Sequence, residues 1–188
     1  LIHNSRKQEF IDRMKDVIAG LKVGDPSKED TDMGPMINIH AAQRIEEQVN
    51  KTIEQGATLV CGGKREDAYY YPTILDNVTK DMDVARDMEI FGPVISVIGF
   101  DSVDEAIEIA NQSSFGLCGC VITKDYSRGI KIANKLECGG AVVNGASFYR
   151  SFEMPFGGWK HSGIGNEGVS STLEEMSRIK TIVLKNIL

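Results

Sequence analysis

The chain has 188 residues, of which 41% are hydrophobic and 26% are charged, a composition typical of a globular protein with a buried core. Twenty-seven acidic residues outnumber 21 basic ones, and the resulting formal net charge of −6 disfavours a nucleic acid as partner. The longest nearly apolar run, residues 90–100, is interrupted by Pro93 and Ser96 and is far shorter than the ~20 residues of a membrane-spanning helix. We therefore expect neither a nucleic-acid partner nor a membrane partner.

Cysteine usage and the start of the chain bear on location and completeness. The four cysteines, Cys61, Cys118, Cys120 and Cys138, lack the spacing of zinc ligands, so we expect no metal site. We also expect that the chain carries no signal peptide. The thiols are then expected to be reduced and the location cytoplasmic. Because Leu1–His3 reads as part of a strand with no turn or cap before the first helix, we expect a chain that is truncated at its N-terminus.

Apolar spacing predicts alternating helices and strands over residues 1–144. Ser102 and Glu105 also form the S-x-x-E pattern of a capping box at the start of one helix. Neighbouring parallel strands need long crossovers, and helices supply them. We therefore predict an α/β fold whose mainly parallel sheet is flanked by helices. The predicted helices lie at about 6–22, 42–55, 103–112 and 125–136, and the predicted strands at about 57–61, 69–75, 92–100, 117–123 and 140–144.

The chain after residue 144 departs from this alternation. Residues 145–168 are rich in glycine and aromatic residues and predict a loop, whereas residues 169–177 predict a short helix. Ile179–Leu184 then alternates as a strand. We predict that this C-terminal strand protrudes from the domain and pairs elsewhere.

Gly163–Gly168 contains the G-x-G-x-x-G string of dinucleotide-binding folds. That fingerprint requires a buried strand before it and an acidic residue about 20 positions later. Glycines and polar residues precede this instance, and Thr181–Val183 stands where the acid would be. A compact loop, in which missing Cβ atoms let backbone segments pass closely, fits these residues better than a Rossmann turn.

Two other segments resemble signatures of one family. Residues 154–168 read MPFGGWKHSGIGNEG and residues 89–94 read EIFGPV, and both are similar to signatures of the NAD(P)-dependent aldehyde dehydrogenase family. The resemblance covers nearly the whole chain, although the family often has arginine where Asn166 stands and glutamate where Arg178 stands. It implies the C-terminal part of such an enzyme: a truncated catalytic-domain core (1–144), a substrate-entrance and glycine-rich loop (145–168), and a helix with an oligomerisation strand (169–188).

The resemblance implies a cofactor role for Glu89 and Phe91. In the family, the glutamate of this element accepts hydrogen bonds from the nicotinamide ribose hydroxyls, and the phenylalanine packs beside that sugar. The cofactor is accordingly expected to be NAD or NADP, with a site that is incomplete in this chain. A solvated surface carboxylate is the alternative interpretation of Glu89.

The resemblance also implies a pocket for a small-molecule aldehyde. Phe156 matches the family aromatic that helps line the substrate entrance, and Tyr149 and Arg150 lie in the loop that borders the aldehyde pocket. We hypothesise that Arg150 binds a carboxylate or phosphate group of the substrate. A solvated or ion-paired arginine is the alternative. We expect Glu89 and Phe156 to face one cleft.

Several residues of the family mechanism are not expected within this chain. The resemblance places the nucleophilic cysteine, the general-base glutamate and the Rossmann domain upstream of Leu1, so we expect no catalytic residue here and no activity from the chain alone. The intact enzyme would oxidise an aldehyde to a carboxylic acid through a cysteine thiohemiacetal and would be a homo-oligomer, either a dimer or a tetramer. The alternative is a non-catalytic truncated module that associates through the exposed edge of Ile179–Leu184.

Overall fold

The computed structural model describes residues 1–186 of the chain. Helices alternate with strands through much of the chain, which confirms the predicted α/β class. A short 3₁₀ turn at Asp83–Ala85 precedes the segment that contains Glu89. The helices are α1 (Asn4–Ala19), α2 (Ile39–Glu54), α3 (Val103–Asn111), α4 (Tyr126–Ala133) and α5 (Val169–Glu175). The strands are β1 (Ile2–His3), β2 (Thr58–Cys61), β3 (Arg65–Glu66), β4 (Tyr69–Tyr70), β5 (Thr73–Asp76), β6 (Val94–Ser96), β7 (Gly99–Phe100), β8 (Phe115–Gly116), β9 (Cys118–Val121), β10 (Gly140–Val143) and β11 (Trp159–Lys160).

The central sheet of the N-terminal half has a helix on each face. β5 lies between β2, to which it is antiparallel, and β6, to which it is parallel. Successive strand residues point to opposite faces, and Ile74 accordingly packs with Ile11 of α1 whereas Leu75 packs with Ile45 of α2. The apolar stripes of α1 and α2 therefore cover opposite faces of β5.

Helix starts follow the side-chain caps that the sequence offers. Asn38 accepts a hydrogen bond from the Ala41 amide at 2.8 Å and begins α2. At α3, Ser102 accepts from the Glu105 amide at 3.2 Å, and the Glu105 carboxylate accepts from the Asp101 amide at 2.9 Å. The predicted capping box is thus confirmed, with its reciprocal bond one residue earlier than the usual pattern.

Two predicted strands are each divided in the structure. The strand predicted at 69–75 is interrupted by Pro72, which has no amide hydrogen to donate to a ladder. The strand predicted at 92–100 becomes β6, which pairs with β5, and β7, which pairs with β1. Apolar content located these segments, but the partner of each half was set by the neighbouring backbone.

The pairing is more mixed than the mainly parallel arrangement that we predicted. β1 with β7, β5 with β6, and β9 with β10 are parallel. β2 with β5, β3 with β4, and β8 with β11 are antiparallel. The hairpin of β3 and β4 is joined by a turn, which permits antiparallel pairing without a crossover helix.

Backbone contacts divide the chain into two compact units, one from Leu1 to Ser113 and one from Ser114 onward. The functional divisions that the resemblance implies, after residues 144 and 168, stay a prediction. In the second unit, α4 packs on both β9 and β10, and Trp159 of β11 pairs with Gly116 of β8. Residues 114–143 therefore belong with the glycine-rich loop.

The C-terminal segment forms no strand in the described part of the chain. Residues 177–186 lie outside helices and strands, and Ile179, Ile182, Val183 and Leu184 are exposed. A strand ladder requires a partner backbone, and residues 1–186 supply none to that segment. Pairing of Ile179–Leu184 stays a prediction, and the last two residues of the predicted 169–188 segment lie outside the described residues.

Candidate functional site

Glu89 and Phe91 lie on an exposed segment between the 3₁₀ turn and β6. Glu89 is exposed, and 71% of Phe91 is accessible to solvent. Among residues 1–186, the Glu89 carboxylate has no hydrogen-bond partner, although its backbone carbonyl has one. A carboxylate and an aromatic ring, two positions apart, are thus both available to a ligand.

Helix α2 holds this segment at two points. The Gln48 amide nitrogen donates to the Glu89 carbonyl oxygen at 3.2 Å. At Gly92, an added Cβ would lie only 2.5 Å from Cδ1 of the fully buried Ile45. The backbone of Gly92 therefore rests directly on α2, which only a residue without a Cβ allows.

The same helix also holds the chain just before the segment. Lys51 pairs with the Asp83 carboxylate at 2.6 Å, and the Asp83 amide donates to the Gln55 side chain at 3.1 Å. The Lys51 hydrogen bond is the main cause that lowers the pKa of Asp83. The ion pair is solvent-exposed, so its contribution to stability is small.

The Phe-Gly-Pro bend that leads into β6 is tight. The Gly92 amide donates to the Ile90 carbonyl and the Val94 amide to the Gly92 carbonyl, both at 2.8 Å, which are two successive three-residue turns. The Pro93 carbonyl accepts from the Thr73 amide at 2.9 Å. Hydrogen bonds therefore restrain this segment along most of its length.

In the second unit, Arg150 and Phe156 are brought together. The Arg150 guanidinium carbon lies 3.9 Å from the centroid of the Phe156 ring, a cation–π contact. Its Nη1 donates to the carbonyls of Tyr149 at 2.9 Å and Ser147 at 3.2 Å, and its Nη2 lies 3.6 Å from the Cys118 sulfur. Arg150 is thus neither freely solvated nor held by a carboxylate in these contacts.

Phe156 leads a glycine-rich loop whose backbones pass very closely. Phe156 and Glu167 exchange two backbone hydrogen bonds, at 2.8 and 2.6 Å. An added Cβ at Gly139 would lie only 1.7 Å from the Gly157 carbonyl oxygen. This geometry confirms the compact-loop interpretation. Phe156 also lines a depression of about 180 Å³ between this loop and Glu175 of α5.

The G-x-G-x-x-G string lacks the context of a dinucleotide fold in the structure as well. Gly168 does cap a helix, α5, but the two residues of the preceding strand β11 are both exposed. A buried strand before the first glycine is what the fingerprint requires.

Cysteine side chains are possible metal ligands or reactive thiols. All four cysteines are free thiols. Burial raises the pKa of the Cys138 thiol, with a smaller contribution from Cys118, and the Cys138 thiol donates to the Gly140 carbonyl. In residues 1–186, no group of three or more histidine, cysteine or acidic side chains could hold a metal ion. The same stretch has no helix both long and apolar enough to cross a bilayer.

The predicted site residues thus form two sets, one in each unit. Glu89 and Phe91 lie in the first unit, and Tyr149, Arg150 and Phe156 lie in the second. The expectation that Glu89 and Phe156 face one cleft stays a prediction. Sequence reasoning missed Gln48, which is 41 residues from Glu89, and Cys118, which is 32 residues from Arg150, because no local pattern links such distant residues.

Comparison with known proteins identifies relatives over nearly the whole length. A 3-sulfolactaldehyde dehydrogenase of Priestia aryabhattai is 43% identical over 183 residues, which are 97% of this chain and 38% of that protein. The crystal structure of glyceraldehyde-3-phosphate dehydrogenase GapN from Methanocaldococcus jannaschii, complexed with NADP, matches with a TM-score of 0.91 and 42% identity over 98% of this chain and 40% of that one. Betaine aldehyde dehydrogenase of Staphylococcus aureus, in complex with NAD+, matches with a TM-score of 0.86 and 36% identity over 92% of this chain and 35% of that one.

The chain therefore spans less than half the length of these relatives. The model of the aldehyde dehydrogenase family matches residues 1–182. On that match, and on identity above 40% to relatives over nearly all of its residues, the chain belongs to the aldehyde dehydrogenase family.

Proposed function

We propose that this chain supplies cofactor-orienting and substrate-facing residues of an NAD(P)-dependent aldehyde dehydrogenase. The enzyme would oxidise an aldehyde to a carboxylic acid through a cysteine thiohemiacetal. The observation that carries the proposal is the Glu89–Phe91 segment of this family member, which exposes a carboxylate and an aromatic ring on a backbone held by α2.

The exposed groups fit the nicotinamide half of such a cofactor. The two Glu89 carboxylate oxygens can accept hydrogen bonds from two neighbouring ribose hydroxyls, and the exposed Phe91 ring can pack against the sugar. When bound, NAD(P) accepts the hydride from the substrate. The part played by Glu89 is orientation, because hydride transfer depends steeply on the geometry of donor and acceptor. Relatives in complex with NADP and with NAD+ support either cofactor.

On the substrate side, we propose that Arg150 favours aldehydes with an acidic group. The two Nη1 hydrogens serve the carbonyls of Ser147 and Tyr149. The contacts found in residues 1–186 leave the Nε hydrogen and one Nη2 hydrogen of Arg150 for a carboxylate, sulfonate or phosphate. Stacking on Phe156 limits the guanidinium to one plane, and Tyr149 and Phe156 would border the pocket. The name of the sulfolactaldehyde relative, which denotes an acidic aldehyde, supports this choice.

The nucleophile and the general base would come from the part of the relatives that this chain does not span. The raised pKa of Cys138 disfavours its thiolate, which is the reactive form. We therefore propose that the chain alone is inactive. Reduction of NAD or NADP by the isolated chain with any member of an aldehyde panel would overturn this statement.

Cofactor binding by the complete gene product tests the central proposal. Glu89→Gln removes the negative charge from the acceptor, and we expect the Kd for the cofactor to rise by about tenfold, since hydrogen bonds to charged groups contribute about 1.5–3 kcal/mol. Glu29→Gln, which changes another exposed glutamate of the first unit, is the matched control and should leave the Kd unchanged. Equal Kd values for Glu89→Gln and the unmodified enzyme, measured by calorimetry, would reject the cofactor role.

Steady-state kinetics test the substrate class. Arg150→Ala should raise KM for acidic aldehydes by about tenfold or more and leave KM for neutral aldehydes nearly unchanged. Arg128→Ala, at an exposed arginine of α4, is the control. An equal effect of Arg150→Ala on acidic and neutral aldehydes would count against an anion-reading role.

The exposed C-terminal segment favours a second candidate function, association without catalysis. Ile179 is fully exposed, and Ile182, Val183 and Leu184 are each more than 70% exposed, so a partner strand could cover them. In the intact enzyme the same segment would join a homo-oligomer, a dimer or a tetramer. Removal of residues 179–188 should then lower the oligomeric state measured by light scattering.

The free cysteines also favour a reducing compartment such as the cytoplasm.

A further inference from the structure

The nitrogen and the oxygen of the Gln48 side-chain amide differ in their hydrogen bonding. Its nitrogen donates to the Glu89 carbonyl at 3.2 Å, whereas its oxygen is buried and has no hydrogen-bond partner among residues 1–186. A buried amide oxygen without a partner lowers stability. If Gln48 only filled space, an apolar side chain of the same size, such as methionine, would therefore give a more stable fold.

Gln48 lies on the face of α2 that carries the Glu89 segment. Ile45, three residues earlier on the helix, packs against Gly92, three residues later on the segment. The segment thus runs along the helix and is held at both of its ends, at one end by packing and at the other by a single hydrogen bond. The Met88 amide, bonded to the Asp83 carbonyl at 3.0 Å, fixes the chain before that point.

We propose that Gln48 is a positioning residue for cofactor binding. By holding the Glu89 carbonyl, it fixes the backbone from which the Glu89 side chain projects, so that the carboxylate meets the ribose hydroxyls in one place. Gln48 does not itself contact the cofactor in this proposal. The inference rests on the proposed cofactor role of Glu89.

A double-mutant cycle in the complete gene product tests this coupling. The variants are Gln48→Met, Glu89→Gln and the combination, with NAD or NADP as the probe and its Kd measured by calorimetry. Gln48→Met should raise the Kd about fivefold, the effect of one net hydrogen bond. In the Glu89→Gln background it should change the Kd by less than about twofold, because the group that it positions has lost its charge.

Two further measurements separate positioning from a general loss of structure. The KM for the aldehyde should stay unchanged in Gln48→Met, and Gln43→Met, at another glutamine of α2, should leave the cofactor Kd unchanged. If Gln48→Met does not fold, Gln48→Leu takes its place, since it also removes the donor and buries no charge.

The outcomes distinguish this inference from the proposed function. An equal effect of the Gln48 substitution in both backgrounds, or no effect on Kd in either, would overturn the positioning role while leaving the Glu89 result intact. If Glu89→Gln itself leaves the Kd unchanged, the proposed cofactor site fails and the role of Gln48 fails with it.

Discussion

The close approach of Gly92 to α2 gives the sharpest test of the structure. Replacement of Gly92 by alanine would place a Cβ 2.5 Å from Cδ1, 2.9 Å from Cγ1 and 3.1 Å from Cγ2 of Ile45. Carbon atoms in ordinary contact lie about 3.5–4.0 Å apart, so the nearest pair would have to separate by roughly 1 Å. Ile45 is completely buried, which leaves it little space to move away.

We expect Gly92→Ala to lower the free energy of unfolding by about 2 kcal/mol, the middle of the range for overpacked cores. For a chain of this size, that corresponds to a fall in Tm of roughly 4–8 °C. Urea unfolding followed by far-UV circular dichroism measures the free energy, and thermal unfolding measures Tm. Gly20→Ala is the matched control, because its Cβ would meet the Val17 carbonyl at 3.5 Å in a helical backbone conformation.

The second substitution Ile45→Val separates overpacking from other causes. Valine lacks Cδ1, the atom nearest to the added methyl group, so Gly92→Ala should cost about 1 kcal/mol less in the Ile45→Val background. Some cost should remain, since the other two close carbons are retained. The reasoning is refuted if Gly92→Ala is as harmless as Gly20→Ala, or if Ile45→Val gives no relief.

Two further predictions concern the glycine-rich loop and the 3₁₀ turn. Gly139→Ala should lower the free energy of unfolding by about 3 kcal/mol, because the added Cβ would overlap the Gly157 carbonyl oxygen, a backbone atom that a change of side-chain rotamer cannot move. Unchanged fluorescence and Tm, with Trp159 as the single tryptophan reporter, would contradict it. The lowered pKa of Asp83 means that its pairing with Lys51 stabilises the fold above the usual pKa of 3.8 and is lost as pH falls through the folded-state value. Urea midpoints of the wild type and Asp83→Asn should therefore differ at neutral pH and converge in acid, and a difference that persists in acid would speak against the ion pair.

The position of the Glu89–Phe91 segment along the chain could be read from its resemblance to a family motif, whereas its cofactor role stays a prediction. Both side chains are exposed in the structure. Glycine spacing likewise predicted a close-packed loop after Phe156. The contacts of Arg150 could not be predicted from the sequence, because its contacts with the Phe156 ring and the Cys118 sulfur depend on how the loop folds back over β9.

The sequence by itself determined the approximate positions of the helices, the capping box of α3, the α/β class and the family resemblance. These features depend on apolar periodicity, on side chains within about four residues of each other, and on fixed motif spacing. Only the tertiary structure decided that α2 contacts the Glu89 segment, that residues 114–143 form one compact unit with the glycine-rich loop, and that strand pairing is mixed. Each of these involves backbone groups far apart in the chain, and a hydrogen bond or packing contact between such groups exists only after the intervening elements have folded.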